Sequence, residues 1–218
     1  MFYKRERTPD CTTPHTYEME QVEQVSGGRI VVLNGFPGSG KSTILTQVKE
    51  LLPAKTTCLL DNHLLIDPVA AVIPERSDEH HELRKIIRAP VFKKLGELAE
   101  QGHTVLMTAC LGDNNEKDLA FLQEHLDMVR GTFVPMYWIN VHCNQTALEK
   151  RLVMPERHQG SKSKLTDVGT LRALIRQHHL IEPCKADEVS ARLFVENLDV
   201  SGPVFHSVDR VMKMVGFQ

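Results

Sequence analysis

The chain has 218 residues, a formal net charge of -2 and a hydrophobic fraction of 41%. This composition is typical of an ordinary globular protein of one domain, and it gives no sign of a fibrous, disordered or membrane-spanning chain. Because the net charge is slightly negative, no overall field draws the molecule onto nucleic acid or an anionic membrane. Nucleic acid is therefore not expected as a partner.

The cysteines and the first residues bear on the expected location. The five cysteines are scattered without the close pairs that zinc sites and redox motifs use, so we expect reduced thiols. No apolar segment of signal-peptide length follows the basic first residues, and no later run is long enough to span a bilayer. We expect a cytoplasmic protein without a membrane partner, and the sequence does not indicate its oligomeric state.

The sequence predicts two regions. Residues 1–28 are polar, contain Pro9 and Pro14 and end in Gly27 and Gly28, which is typical of a flexible N-terminal arm. The folded domain is predicted over residues 29–218.

Continuous apolar runs alternate with helix-like segments along this domain. The strand candidates are Ile30–Asn34, Thr57–Leu60, Thr104–Cys110, Pro135–Val141 and Arg192–Val195. The helix candidates are Lys41–Leu52, Asp78–Gln101, Asn115–Val129, Gln145–Leu152, Thr166–Ile181 and Pro203–Val215, and Pro90 predicts two helices or a kink in the second. Apolar strands separated by helices predict an α/β fold with a mostly parallel five-stranded sheet sandwiched by helices.

One motif in this pattern carries specific chemistry. The segment GFPGSGKST matches GxxxxGK[ST], and it lies between a predicted strand and a predicted helix, as a phosphate-binding P-loop requires. Its predicted contacts to ATP come from Gly35, Pro37, Gly38, Ser39, Gly40, Lys41, Ser42 and Thr43. Lys41 would reach the outer phosphates, and the Ser42 hydroxyl would join the shell of a magnesium ion. ATP and Mg²⁺ are therefore the expected cofactors.

The remaining motifs distinguish among the classes of P-loop protein. There is no NKxD segment for reading guanine, so the sequence does not favour a GTPase. A motor ATPase would usually have an acidic residue at the end of its third strand, but this strand ends in Thr108-Ala109-Cys110.

A carboxylate follows the second predicted strand instead. Because strand carboxyl ends in a parallel sheet face the ligand crevice, Asp61 is predicted to point towards the γ-phosphate. It would accept a hydrogen bond from an acceptor hydroxyl and act as a catalytic residue; the alternative is a simple helix cap. His63, which we expect in a loop, is a candidate substrate contact.

Two basic clusters complete the predicted site. A polar segment at about residues 153–165 is predicted to be a mobile lid, whose arginines would stabilise charge on the transferred phosphoryl group. Arg157 and Arg151 are the candidates. The alternatives are that Arg157 is a solvated loop residue and that Arg151 is a helix-end residue. Arg84 and Arg88 share a helix face and would contact the substrate if that face lines the crevice.

Together these motifs resemble P-loop kinases of the chloramphenicol phosphotransferase, zeta-toxin and tunicamycin-resistance type. The resemblance covers roughly residues 29–215 and rests mainly on the P-loop, with weaker support from the segment LLDNHLLID after the second strand. It implies that Asp61 orients or deprotonates the substrate hydroxyl, that Arg151 and Arg157 belong to the lid, and that Asn197 lies near adenine. Such kinases have an acidic pair where this chain has Thr108-Ala109-Cys110, so a second magnesium ligand stays open.

The sequence thus predicts an ATP-dependent kinase that phosphorylates a hydroxyl group of a small molecule. Two alternatives remain: a nucleic-acid end kinase or RNA-repair module, and a nucleotide-sensing binding module without transfer activity. The identity of the acceptor does not follow from the sequence.

Overall fold

The computed structural model describes residues 27–158, 164–183 and 192–217. Its strands are β1 (Arg29–Asn34), β2 (Thr57–Leu60), β3 (Thr104–Ala109), β4 (Met136–His142) and β5 (Leu193–Asp199). They form one sheet in the order β2-β3-β1-β4-β5, and neighbouring strands pair in parallel. The predicted α/β fold with a five-stranded parallel sheet is confirmed.

Helices cover both faces of this sheet. They are α1 (Lys41–Glu50), α2 (His63–Ala70), α3 (Asp78–Glu100), α4 (Glu116–Asp127), α5 (Gln145–Leu152), α6 (Val168–Gln177) and α7 (Val204–Met214), with short 3-10 helices at Ala54–Thr56 and Pro155–His158. Alternate residues of β1 enter different cores: Ile30 and Val32 pack towards α3 and α4, whereas Val31 and Leu33 pack towards α1 and α7. Because both faces are covered, the strands are continuously apolar.

The order in which the strands are added reverses at β1, which has β3 on one side and β4 on the other. In open α/β sheets, ligands bind beyond the carboxyl ends of the strands at such a switch point. A buried polar network fixes this edge. The Asn34 amide donates to Asn140 Oδ1 over 3.0 Å, and the Leu111 amide N–H donates to Asn34 Oδ1 over 2.8 Å. The loop after β1 therefore starts from a rigid position.

Two local predictions need correction. Of the two alternatives at Pro90, two helices or a kink, the first is wrong, because α3 continues through Pro90 as a single helix. Pro90 is exposed, so water can serve the carbonyl that its missing N–H leaves unpaired, while Phe92 and Leu95 remain buried in the core. His63 begins the helix α2 instead of lying in a loop. The eight residues of α2 include Pro68, and this short segment gave no clear helical signal.

Two predicted regions lie wholly or partly outside the described residues. The predicted arm falls there up to residue 26, and so do residues 159–163 of the predicted lid. Within the part of the chain that the structure describes, no helix is long and apolar enough to cross a membrane.

Candidate active site

The loop between β1 and α1 has the geometry of an anion cradle. Gly38 and Gly40 have φ angles of 88° and 84°, a left-handed conformation that glycine adopts without strain. The helix α1 begins without a side-chain cap, and the amide N–H of Ile44 donates a hydrogen bond to the Gly40 carbonyl. The N–H groups of Lys41, Ser42 and Thr43 precede the first intrahelical bond, so they can point at phosphate oxygens.

Close packing also requires glycine at the start of this loop. A Cβ atom on Gly35 would lie 2.4 Å from Val141 Cγ2, so a larger residue would push the loop away from β4. Ser39 is buried, and its hydroxyl donates to the Phe36 carbonyl over 2.8 Å. These contacts hold the cradle in shape within the protein itself.

The Lys41 ammonium folds back over the loop. It donates to the carbonyls of Gly35 and Phe36 and, over 3.2 Å, to the Ser39 hydroxyl. Burial lowers the pKa of Lys41, and the nearby Arg157 charge lowers it further. A triphosphate on the loop would offer this cation better partners than neutral carbonyls, because hydrogen bonds to charged oxygens are the stronger ones.

Asp61 lies against the predicted magnesium ligand. Its Oδ2 atom accepts a hydrogen bond from the Ser42 hydroxyl over 2.9 Å, and its Oδ1 atom accepts one from the Thr108 hydroxyl over 3.3 Å. The amide N–H of His63 also donates to Oδ1, over 3.1 Å. Asp61 is only 7% exposed. The carboxylate therefore connects the end of β2 to the start of α1, directly after the phosphate loop.

The oxygen atoms of Ser42 and Asp61 are chemically suited to magnesium, which prefers hard oxygen ligands and retains several waters. Among the described residues, no cluster of three or more His, Cys, Asp or Glu side chains could hold a metal by itself. A magnesium ion at this position would accordingly depend on these two residues together with water and phosphate oxygens.

A crevice of about 1120 Å³ opens beside the loop. Its walls come from the loop, α2, α3, α4 and the segment around Arg157, and they include most of the predicted site. The predicted site residues that line it are Pro37, Gly38, Gly40, Lys41, Ser42, Thr43, Asp61, His63, Arg84, Arg88 and Arg157.

The two predicted lid arginines lie in different places. Arg157 lines the crevice, and its Nε donates to the Leu165 carbonyl over 2.7 Å. Arg151 instead donates to the carbonyls of Val200 and Ser201, over 3.1 and 3.5 Å, and is not among the residues that line the crevice. In this structure Arg151 ties α5 to the segment directly after β5, and its catalytic role stays a prediction.

Asn197 is also outside the crevice. It is exposed on β5, where its Oδ1 lies 2.7 Å from His142 Nε2 and its Nδ2 donates to Glu182 over 3.1 Å. The structure does not bring this predicted adenine contact together with the phosphate loop.

The predicted substrate contacts lie on α2 and α3, which form walls of the crevice. His63 Nδ1 is 3.4 Å from Asp67 Oδ1, one helical turn further along α2. Arg88 forms a bidentate ion pair with Glu124, with both N···O distances at 2.7 Å. Its guanidinium carbon lies 3.9 Å from the centre of the Phe121 ring, over the face of the ring. Arg84, on the same side of α3, lines the crevice and is 7% exposed.

Two polar residues in the crevice were not predicted from the sequence. Thr108 was noted only as a departure from an acidic strand end, yet its hydroxyl contacts both Asp61 and the amide N–H of Asn62. Asp118, in the first turn of α4, accepts a hydrogen bond from the Gly112 amide over 2.9 Å. Burial raises the pKa of Asp118. Its position next to a helix start gave no signal beyond that of ordinary capping.

The overall fold has relatives among solved structures. A gluconokinase from Sinorhizobium meliloti is 16% identical, with a TM-score of 0.52, and the match covers 88% of this chain and 93% of that one. A tunicamycin resistance protein from Deinococcus radiodurans is 12% identical, with a TM-score of 0.52 and coverages of 88% and 97%. A thymidylate kinase from Candida albicans is 15% identical, with a TM-score of 0.55 and coverages of 87% and 91%.

These structural likenesses agree with the family resemblance drawn from the P-loop and the segment after β2. A search of curated proteins finds no match. The model of the AAA domain family matches residues 31–169, more than half of the chain, and this span includes the whole phosphate loop and Asp61. The chain therefore belongs to the AAA domain family.

Proposed function

We propose that the chain is an ATP-dependent phosphotransferase that moves the γ-phosphate of ATP to a hydroxyl group of a small molecule. The observation that carries the proposal is the contact between Ser42 and Asp61, which places a buried carboxylate at the mouth of the phosphate loop and on the wall of the crevice. The kinases among the structural neighbours add support at the level of the fold.

In this proposal the phosphate loop binds the triphosphate and leaves the γ-phosphate facing the crevice. The amide N–H groups at the start of α1 and the Lys41 ammonium hold the phosphate oxygens. Magnesium, when bound at Ser42 and Asp61, would neutralise charge on the β- and γ-phosphate oxygens. Positioning and charge neutralisation are the main tasks of a protein in phosphoryl transfer.

Asp61 and Arg157 have different roles in the transfer. The acceptor oxygen forms a bond to the γ-phosphorus while the bond to the bridging oxygen of ADP breaks, and the hydroxyl proton passes towards the Asp61 carboxylate. Arg157 lies close enough to Lys41 to lower the pKa of that lysine, so its charge also acts on the phosphate end of the crevice. There it would stabilise the negative charge of the transition state.

The structure weakens the support for a binding module without transfer activity. That alternative rested on the missing acidic end of β3, but Asp61 reaches the Ser42 hydroxyl from the neighbouring strand β2. A carboxylate at the phosphate loop is therefore present despite Thr108-Ala109-Cys110.

A nucleic-acid end kinase has little support in the described residues that line the crevice. Phe121 is the one Phe, Tyr or Trp side chain among them, and the Arg88 guanidinium covers its ring. Base stacking, on which binding of single-stranded nucleic acid usually depends, has no open platform there.

The test is a screen for transfer. The protein is incubated with magnesium, ATP labelled in the γ-phosphate, and hydroxylated metabolites, antibiotics, nucleosides and nucleotide sugars, and the products are analysed by mass spectrometry. We expect at least one acceptor to gain one labelled phosphate with the parent protein and none with Lys41→Ala. Tight ATP binding without transfer to any acceptor would contradict the proposal and favour the binding module.

A further inference from the structure

We propose that the acceptor carries an anionic oxygen group, either a carboxylate or a phosphate, and that the Arg84 guanidinium binds it. This inference rests on the proposed function, because it names the chemical class of the molecule that receives the phosphoryl group. It starts from a buried cation that has no hydrogen bond or ion pair within the described residues. Its guanidinium carbon lies 6.0 Å from the centre of the Phe121 ring, at the outer limit of a cation–π contact.

Arg84 is more than nine-tenths buried, with 7% of its surface exposed. Its Nε atom is buried and has no hydrogen-bond partner, and the described part of the chain supplies Arg84 with neither a hydrogen bond nor an ion pair. A buried charge without a partner costs several kcal/mol, so proteins rarely retain one without a use. Even with burial lowering its pKa to about 10, Arg84 stays protonated at neutral pH.

The acidic groups around Arg84 interact mainly with other residues. Glu124 forms a bidentate ion pair with Arg88, and Asp78 pairs with Lys117 over 2.7 Å. Asp118 faces the same crevice and its charge favours protonated Arg84, but it accepts a hydrogen bond from the Gly112 amide. The like charges of Arg88 and Arg76 act against Arg84.

The position of Arg84 suits an anionic end of the acceptor. It lines the same crevice as Lys41 and Asp61, but it projects from α3 rather than from the phosphate loop. An acceptor could therefore present a hydroxyl group at Asp61 and an anionic group at α3. The guanidinium fork matches a carboxylate or a phosphate with two parallel hydrogen bonds, which neutral hydroxyls cannot replace as charge partners.

The experiment uses acceptors in matched pairs that differ in charge. Sugar acids are compared with the corresponding alditols, sugar phosphates with sugars, and nucleotides with nucleosides, so the carboxylate and phosphate arms are separated. The proteins are the parent, Arg84→Gln, and Lys93→Gln as a matched control, because exposed Lys93 lies on the same helix and outside the crevice lining. Transfer from labelled ATP is measured as kcat/KM for each acceptor.

We expect the anionic member of at least one pair to be the better acceptor. Arg84→Gln should lower kcat/KM for that acceptor by about 10- to 100-fold, because hydrogen bonds to a charged group are lost. It should leave the neutral member and the KM for ATP nearly unchanged, and Lys93→Gln should have no effect. Equal use of both members by the parent protein would overturn the inference, as would an effect of Arg84→Gln on ATP alone.

A binding measurement separates this inference from the proposed function. The protein is saturated with magnesium and a non-hydrolysable ATP analogue, and each anionic compound is titrated by calorimetry into the parent, Arg84→Gln and Lys93→Gln proteins. Weaker binding in Arg84→Gln alone supports the inference even if no phosphate is ever transferred, which would contradict the proposed function only. The inference fails if no anionic compound binds the parent protein or if Arg84→Gln binds equally well.

Thermal unfolding provides the control for a structural role. Because Gln removes an unpaired buried charge, we expect the Tm of Arg84→Gln to equal or exceed that of the parent. A large fall in Tm would mean that Arg84 supports the fold, and it would overturn the assignment to a ligand.

Discussion

The Ser42 hydroxyl donates a hydrogen bond to the Asp61 carboxylate over 2.9 Å, which joins the phosphate loop to the end of β2. Ser42→Ala deletes this donor and an oxygen ligand suited to magnesium. We expect the magnesium concentration for half-maximal ATP turnover to rise by about 10- to 100-fold, the usual effect of losing a group that supports a metal. Ser42→Thr keeps the hydroxyl and serves as the control. An unchanged magnesium dependence in Ser42→Ala would remove this pair from the metal site.

Arg157 and Arg151 should differ in their kinetic effects, because only Arg157 lines the crevice. We expect Arg157→Ala to lower kcat more than it lowers ATP affinity, since a contact to developing charge is strongest in the transition state. Arg151→Ala removes hydrogen bonds to the carbonyls of Val200 and Ser201, so it should mainly lower Tm. Steady-state kinetics with varied ATP tests the expectation for Arg157, and thermal unfolding together with kcat tests the expectation for Arg151. An unchanged kcat with a raised KM in Arg157→Ala would make Arg157 a binding residue, and a loss of kcat at unchanged Tm in Arg151→Ala would restore Arg151 as a lid candidate.

Arg88 should prove structural. Its guanidinium pairs with Glu124 at two N···O distances of 2.7 Å and covers Phe121, and the Arg88 side chain is 7% exposed. Arg88→Met leaves the Glu124 charge without this partner, so we expect a loss of about 3 kcal/mol in the free energy of unfolding. The double variant Arg88→Met with Glu124→Leu should recover most of it in urea unfolding. Equal losses in the single and double variants would show that the ion pair itself is not the cause.

The sequence predicted the sheet well because each buried strand is a continuous apolar run and the P-loop marks the end of β1. It could not predict which way α3 faces. The four-residue spacing of Arg84 and Arg88 shows only that they share a face, and the packing against α4 decides that this face is buried. The role of Thr108 was hidden for a similar reason, because its contact with Asp61 crosses from β3 to β2. Contacts between elements that are distant in sequence cannot be predicted until the fold is known.

His125 should make the fold sensitive to acid. It is buried among Phe92, Phe121 and Trp138, and burial lowers its pKa to about 4. The unfolded chain, with a histidine pKa of about 6.5, binds the proton first, so stability is complete above pH of about 6.5 and falls as the pH drops towards 4. The loss from this residue is at most about 3 kcal/mol.

The measurement is the free energy of unfolding in urea from pH 7 to pH 4. In His125→Gln, which cannot take up this proton, we expect a smaller decline over that interval than in the parent. The same decline in both proteins would show that other groups cause the acid sensitivity.

The role of Asp61 as the catalytic carboxylate is tested by comparing ATP binding and phosphoryl transfer in Asp61→Asn. Asn keeps the size of Asp61 and much of its hydrogen bonding, but it removes the negative charge and the basic oxygen. We expect ATP to bind with similar affinity, while kcat for transfer of labelled γ-phosphate to the acceptor falls at least about 100-fold. Transfer within a few-fold of the parent rate would contradict the catalytic role of Asp61, and loss of ATP binding as well would mean that magnesium binding, rather than proton transfer from the acceptor, is its main role.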